Sequence, residues 1–238
     1  MKIVEAAFFD FDGTLFRGST WKGIALHHRT TGTNKVMLWL YLYTHLALLP
    51  LYKAGILKRK VYYTMWAKNM SWTLKGLTTA QAEEVYRWLW ENYVKPRLRP
   101  EIISIWEEHR DKGRKLIIVS GSFEPLIKFV GSKLGADGAI GTELEIKNGR
   151  LTGRIKGPLC FGEGKAQKVK AFLASHPDID LSRSYAYTDS VYDLPLLEMV
   201  GNPVAVYPDP ELASFARERG WLVISSEPAS LASRGGQT

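Results

Sequence analysis

The hydrophobic pattern of this chain changes period twice. Residues 3–9 form a nearly continuous apolar run, the pattern of a short strand buried on both faces of a parallel sheet. After residue 16 the spacing becomes helical, and helices are predicted over 35–57, 58–75 and 79–95. Thr79, followed by Ala-Gln-Ala-Glu, approximates a capping box at the last of these. Pro96 and Pro100 then interrupt the chain. Beyond residue 101 strand and helix patterns alternate. Helices are predicted at Ile102–Lys112, Pro125–Leu134, Lys165–Ala174, Leu194–Met199 and near 210–219. Strands are predicted at Leu116–Val119, Ser184–Thr188, Pro203–Val206 and 221–224. Asn148-Gly149 marks a type I′ turn inside a hairpin over Leu144–Ile155. The tail from Ser225 onward is small and polar and is expected to fray.

Strands alternating with helices imply an α/β fold with a doubly wound, Rossmann-like parallel sheet. A helical block interrupts the alternation after the first strand. The expected organisation is therefore a catalytic core built from 1–16 and 96–238, with 17–95 inserted as a helical cap over the carboxyl edge of the sheet.

Composition sharpens this picture. A chain of 238 residues with 45% apolar content can bury one large core. The single cysteine, Cys160, excludes an intramolecular disulfide and suits a reducing cytoplasm. The first strand begins too early to leave room for a signal peptide, so a cytoplasmic location is expected. The five histidines show no zinc-ligand spacing. The net charge of +8 is concentrated in one place. Residues 17–95 hold twelve Lys/Arg and three Asp/Glu, whereas the rest of the chain holds twenty and twenty-one. The same block contains six of the eight tryptophans and seven of the eleven tyrosines. A basic, aromatic block points to an anionic partner: phosphate, acidic lipid or nucleic acid.

Four pieces of candidate chemistry fall at strand ends or helix starts. Asp10 and Asp12 follow the first strand, where open α/β sheets bind ligands. A carboxylate there can accept a phosphoryl group or hold Mg²⁺; the bland alternative is an acidic turn. Ser120-Gly121-Ser122 follows the strand at 116–119, and its hydroxyl and N–H groups suit phosphate at a helix start. Lys165 opens a helix, where a lysine is ordinarily solvated. Asp189, Ser190 and Asp193 follow the strand at 184–188, as helix-capping acids or as part of a metal site.

In this order and spacing, Asp10-Phe-Asp12-Gly-Thr-Leu, Ser120-Gly-Ser, Lys165 and Asp189-Ser-x-x-Asp193 resemble the haloacid dehalogenase (HAD) superfamily. The position of the helical insert resembles its phosphoserine-phosphatase-like branch, subfamily IB. The resemblance covers the core, roughly 1–16 and 96–224; the cap fits in position and helical character only. It implies a Mg²⁺-dependent phosphatase acting on a small phosphorylated substrate. Asp10 would be the nucleophile that becomes aspartyl-phosphate, and Asp12 the general acid and base. Mg²⁺ would be held by Asp10, the main-chain carbonyl of Asp12, and Asp189. Ser120, Gly121 and Lys165 would hold phosphate oxygens, with Thr14 and Gly13 shaping the turn. Asp193 would orient Lys165 or a metal-bound water, with Ser190 in support. An acid at position 12 favours a phosphatase over the carbon-attacking dehalogenases and ion-pumping ATPases of the superfamily.

The cap departs from the phosphoserine-specific pattern. Phosphoserine phosphatases carry an acid shortly after the first motif, and here none occurs between Asp12 and Glu83. Arg17 and Ser19 are the candidate substrate contacts. Val36–Tyr52 is a seventeen-residue run without formal charge, followed by Lys53, Lys58, Arg59 and Lys60. Three placements are open for it: a buried cap helix or homodimer contact, a helix on an anionic membrane surface, and a membrane span. A span is disfavoured because the run is short and the strands on either side of it belong to one sheet. Phosphatidylglycerophosphate phosphatases with apolar caps resemble this branch, which makes a lipid phosphate the alternative substrate. No helix-turn-helix, zinc or RNA-recognition motif is present, so nucleic acid is not an expected partner.

Overall fold

The computed structural model describes residues 3–225. The elements in chain order are β1 (Ala6–Phe9), α1 (Thr20–Thr31), α2 (Lys35–Ala47), α3 (Leu49–Lys53), α4 (Arg59–Asn69) and α5 (Thr79–Leu89). There follow α6 (Pro100–Asp111), β2 (Lys115–Phe123), α7 (Glu124–Leu134), β3 (Gly138–Thr142), β4 (Leu144–Lys147) and β5 (Arg150–Ile155). The chain continues through α8 (Glu163–Ala174), β6 (Tyr185–Thr188), α9 (Leu194–Leu197), β7 (Asn202–Val206), α10 (Pro210–Glu218) and β8 (Leu222–Ile224).

Six strands form one sheet in the order β3-β2-β1-β6-β7-β8, and every pairing in it is parallel. All four residues of β1 are buried, and they divide between two cores. Ala7 and Phe9 pack on one face with Trp106, Tyr187 and Val204. Ala6 and Phe8 pack on the other with Ile117, Val119, Ala186 and Leu196. Helices on both faces are what a central parallel strand requires, which is why it reads as an apolar run rather than an alternating one. The fold is the doubly wound α/β sheet expected, with β4 and β5 as a separate antiparallel hairpin.

The helical block α1–α5 leaves the sheet after β1 and is tied back to the hairpin. Ser71 Oγ donates to the Gly153 carbonyl at 2.8 Å, and the Leu151 N–H donates to the Leu77 carbonyl at 2.9 Å. Arg59 at the start of α4 pairs with Glu211 on α10 at 2.9 Å.

Three local expectations change. The cap of α5 is Thr78, not Thr79: its hydroxyl accepts from Gln81 N–H while the Gln81 side chain accepts from Thr78 N–H. Strand β2 continues through Phe123, so Ser120-Gly121-Ser122 lies in an irregular strand end rather than at a helix start. Pairing jumps there from Val119–Ile140 to Phe123–Thr142, a bulge that re-aims side chains. The charge-free run is broken into α2 and α3, and in α2 only Leu38, Tyr41 and His45 are buried. The buried-helix placement therefore fails for most of that run. Among the described residues no helix is long and apolar enough to cross a membrane. The polar tail reading falls on residues 226–238, outside the described ones.

Candidate active site

A cavity of 560 Å³ lies between the carboxyl ends of β1, β2 and β6 and the helices α1, α2 and α4. Its floor is formed by Asp10, Asp12, Ser120, Lys165, Asp189 and Asp193, and its walls include Trp21, Tyr41, Tyr62, Trp66 and Met70. Residues far apart in sequence meet here because parallel strands place all their carboxyl ends on one edge.

Asp10 is the first residue past β1 and is buried. Lys165 Nζ donates to Asp10 Oδ1 and to Asp193 Oδ2, each at 2.6 Å. Burial opposes the lysine charge, but the two carboxylates outweigh it and hold its pKa above the ordinary value. A sequence signal explains how the ammonium reaches this depth. Gly164 passes so close to Leu159 that a Cβ would lie 2.0 Å from its carbonyl oxygen, so only glycine lets α8 enter here.

Asp12 has a different environment, made of neutral donors. Its Oδ1 accepts from the Thr20 N–H at 3.0 Å and from the Thr20 hydroxyl at 2.7 Å. Ser122 Oγ lies 3.2 Å from Oδ2 and 2.6 Å from Thr20 Oγ1, so its single proton can serve one or the other. Burial, joined by the charge of Asp10, pushes the Asp12 carboxyl up to about 7, against the pull of these hydrogen bonds. Thr20 was missed in the sequence because it lies in α1, a helix the apolar spacing did not predict. Ser122 was visible as part of the Ser-Gly-Ser turn, but its partner was not.

Asp189 follows β6 and packs against Gly13, where a Cβ would lie 2.1 Å from Asp189 Oδ2. Burial first, then the charges of Asp10 and Asp193, push its carboxyl up to about 8. A buried acid beside two other acids is costly to ionise. Lys165 donates to Asp10 and Asp193, so a further cation beside Asp189 would relieve the repulsion. The donors are hard oxygens, which suits Mg²⁺. Among the described residues no three His, Cys, Asp or Glu side chains converge into a cluster able to hold a metal by themselves. Because the Asp12 carboxylate is turned to Thr20, a bound ion would rely on Asp10, Asp189, backbone oxygen and water. Magnesium, which usually keeps several waters, tolerates that set.

The other candidates divide. Ser120, Gly121, Ser19 and Ser190 all line the cavity. Ser120 Oγ accepts from the Ser122 N–H at 3.1 Å, and Ser190 Oγ lies 3.3 Å from Asp209 Oδ2. Arg17 is not among the lining residues; its guanidinium lies 4.0 Å from Glu101. Thr14 is fully buried outside the lining, and its hydroxyl has no hydrogen-bond partner among the described residues. The walls contain residues not singled out in the sequence. Arg59 joins the lining from α4, and its guanidinium lies over the rings of Tyr63 and Tyr192 at 5.9 and 5.6 Å.

The model of the haloacid dehalogenase-like hydrolases matches residues 7–198, a span that contains every acid of the cavity floor together with Lys165. The chain belongs to that family. A phosphoserine phosphatase of Mycobacterium tuberculosis is 31% identical over 241 residues, covering 98% of this chain and 75% of that protein. A Bordetella pertussis protein of unknown function superposes with a TM-score of 0.80 at 27% identity, over 94% of this chain and 99% of that one. A substrate-bound phosphoserine phosphatase superposes with a TM-score of 0.63 at 21% identity, over 95% of both chains, a likeness of fold. Within the haloacid dehalogenase-like hydrolases the protein belongs to the phosphoserine-phosphatase-like group and is a phosphoric monoester hydrolase.

Proposed function

We propose that the protein hydrolyses a phosphate monoester in two steps through a phosphoryl group carried on Asp10, with Mg²⁺ as cofactor. The observation that carries this reading is the contrast between two carboxyls two residues apart. Asp10 is ion-paired with Lys165 at 2.6 Å, whereas Asp12 is held by hydroxyl and N–H donors and titrates near neutrality. Contrasting environments for neighbouring acids are how one site separates nucleophile from acid–base catalyst.

In the first step an Asp10 oxygen attacks phosphorus and the bond to the leaving alkoxide breaks. The Asp12 proton passes to that alkoxide. In the second step Asp12, now ionised, takes a proton from water as the water attacks the phosphoryl group and frees Asp10. Lys165, Ser120 and the Gly121 N–H hold the phosphoryl oxygens, where charge is spread in the transition state. Asp193 keeps Lys165 in place. Asp10, Asp189 and the Asp12 carbonyl would hold Mg²⁺, which offsets the repulsion between an anionic nucleophile and an anionic phosphate.

Residues 17–95 act as the cap that selects the leaving group. The cavity-lining residues it supplies include Trp21, Tyr41, Arg59, Tyr62 and Trp66, and none is acidic. Among the described residues a substrate ammonium therefore meets no lining carboxylate beyond the catalytic set, which disfavours phosphoserine. An apolar or aromatic leaving group fits these walls.

The test is phosphate release with Mg²⁺ and with EDTA across amino-acid, sugar, choline, nucleotide, aryl and lysophospholipid monophosphates. Metal-dependent release, abolished by Asp10→Asn in a folded protein, is expected. Near-normal turnover by that variant would remove the nucleophile assignment. Preference for phosphoserine over every apolar ester would remove the reading of the cap.

A further inference from the structure

Helix α2 has an apolar face on both sides. Leu38, Tyr41 and His45 point inward, and Tyr41 lines the cavity. Val36, Trp39, Leu40, Tyr43 and Leu46 point outward, with exposures of 46–74%. Their spacing of three and four residues puts them on one stripe. The segment that follows adds Leu51 and Ile56, at 43% and 73% exposed. Isolated exposed apolar residues need no explanation, but a contiguous set of this kind marks a contact surface. Trp39 stacks on Tyr43 with ring centroids 5.5 Å apart, and both rings are open to solvent.

The charges around this stripe decide what it contacts. Lys35 precedes it, Lys53, Lys58 and Lys60 follow it, and all four are exposed. No Asp or Glu occurs anywhere from Gly13 to Ala82. A second copy of this chain is a poor occupant: a two-fold contact sets the same patch against itself and would bring two basic rims together. An anionic bilayer complements both features. It accepts Trp, Tyr and Leu at the headgroup level and attracts the flanking lysines. Helix α2 has thirteen residues, about 20 Å of helix, too short for the roughly 30 Å hydrocarbon core. Docked on a bilayer, it would lie in the plane of the interface rather than across it.

We propose that the outer face of α2 and the α3 turn is a docking surface for anionic membranes, holding the protein at the headgroup boundary. Tyr41 on the inner face of the same helix then connects the docked surface to the cavity wall.

The test is co-sedimentation of the full chain with vesicles of phosphatidylcholine alone and of phosphatidylcholine with phosphatidylglycerol. Binding to the anionic vesicles at low salt is expected, weakening as salt rises. Trp39→Glu/Tyr43→Glu should abolish it, and each of Lys53→Gln and Lys58→Gln should weaken it about fivefold. These positions are exposed, and unchanged circular dichroism shows that the variants fold. No binding by the wild type would overturn the proposal, as would binding that the double variant keeps. A concentration-dependent dimer in sedimentation equilibrium, lost in the double variant and unaccompanied by vesicle binding, would assign the face to a second copy. None of these readouts depends on turnover, so the surface stands or falls apart from the catalytic reading.

Discussion

Thr20 Oγ1 lies 2.7 Å from Asp12 Oδ1, and the Thr20 N–H points to the same oxygen at 3.0 Å. The first residue of α1 thus fixes the carboxyl assigned to acid–base work. Ser122 at the end of β2 reaches the other carboxyl oxygen of Asp12 at 3.2 Å, so α1 and the sheet edge hold that group between them.

Thr20→Val removes the hydroxyl and keeps the backbone donor. The hydroxyl bond holds the Asp12 pKa down, so its loss raises that pKa further above about 7. The basic limb of the kcat profile should move to higher pH. The loss in kcat should be roughly tenfold, below the 10²–10⁴ that removing a general acid costs. Esters with poor alkoxide leaving groups should suffer more than aryl phosphates. A Thr20→Ser variant should restore the wild-type profile; an unmoved limb in Thr20→Val would sever Thr20 from Asp12.

Lys165→Met leaves Asp10 and Asp193 buried without their cation. Breaking a buried ion pair from one side costs about 3–5 kcal/mol. The urea midpoint should fall accordingly when measured in EDTA, and activity should be lost. Lys165→Met/Asp193→Leu should recover part of the stability and none of the activity. Equal midpoints for both variants would mean that Asp193 does not depend on Lys165.

Metal binding can be read without turnover. An ion that binds only the folded state raises the melting temperature by mass action. Mg²⁺ should raise it in the wild type, and Asp189→Ala should abolish the rise. Because burial first, and then the charges of Asp10 and Asp193, push the Asp189 carboxyl up to about 8, binding near neutral pH should release protons, detectable by calorimetry in buffers of different ionisation enthalpy. A full thermal shift in the Asp189→Ala protein would exclude Asp189 as a ligand.

Acid should destabilise the fold through two buried imidazoles. Burial lowers His27 and His109 to about 4, helped by His28 in one case and by Arg114 and Lys112 in the other. The unfolded chain takes up these protons near 6.5, so between there and about 4 it binds more protons than the native state. Their contribution is therefore full above pH 6.5 and declines as pH falls toward 4. His109 Nε2 is 2.7 Å from the Tyr187 hydroxyl, and His109→Gln should flatten part of the acid limb of a melting-temperature profile. An unchanged limb in that variant would place the acid sensitivity elsewhere.

The sequence by itself determined the features that depend on local order. An apolar strand followed by two acids, a helix-opening lysine behind Gly164, and a second acid pair after β6 were legible because each depends on only a few neighbouring residues. The doubly wound class followed from the alternation of periods. Strand β3, Gly-Ala-Ile-Gly-Thr, escaped because two glycines dilute its apolar signal, and α1 escaped because Thr, Gly and His interrupt its spacing. Tertiary structure alone decided the rest. It turned Arg17 toward Glu101 and brought Thr20 to Asp12, and it paired Arg59 with Glu211 across 152 residues. It also decided which side of α2 is buried. A run that is apolar all round carries no periodic mark of its inner face, so only packing against Trp66 and its neighbours could select Tyr41 for the cavity and leave Trp39 and Tyr43 outside.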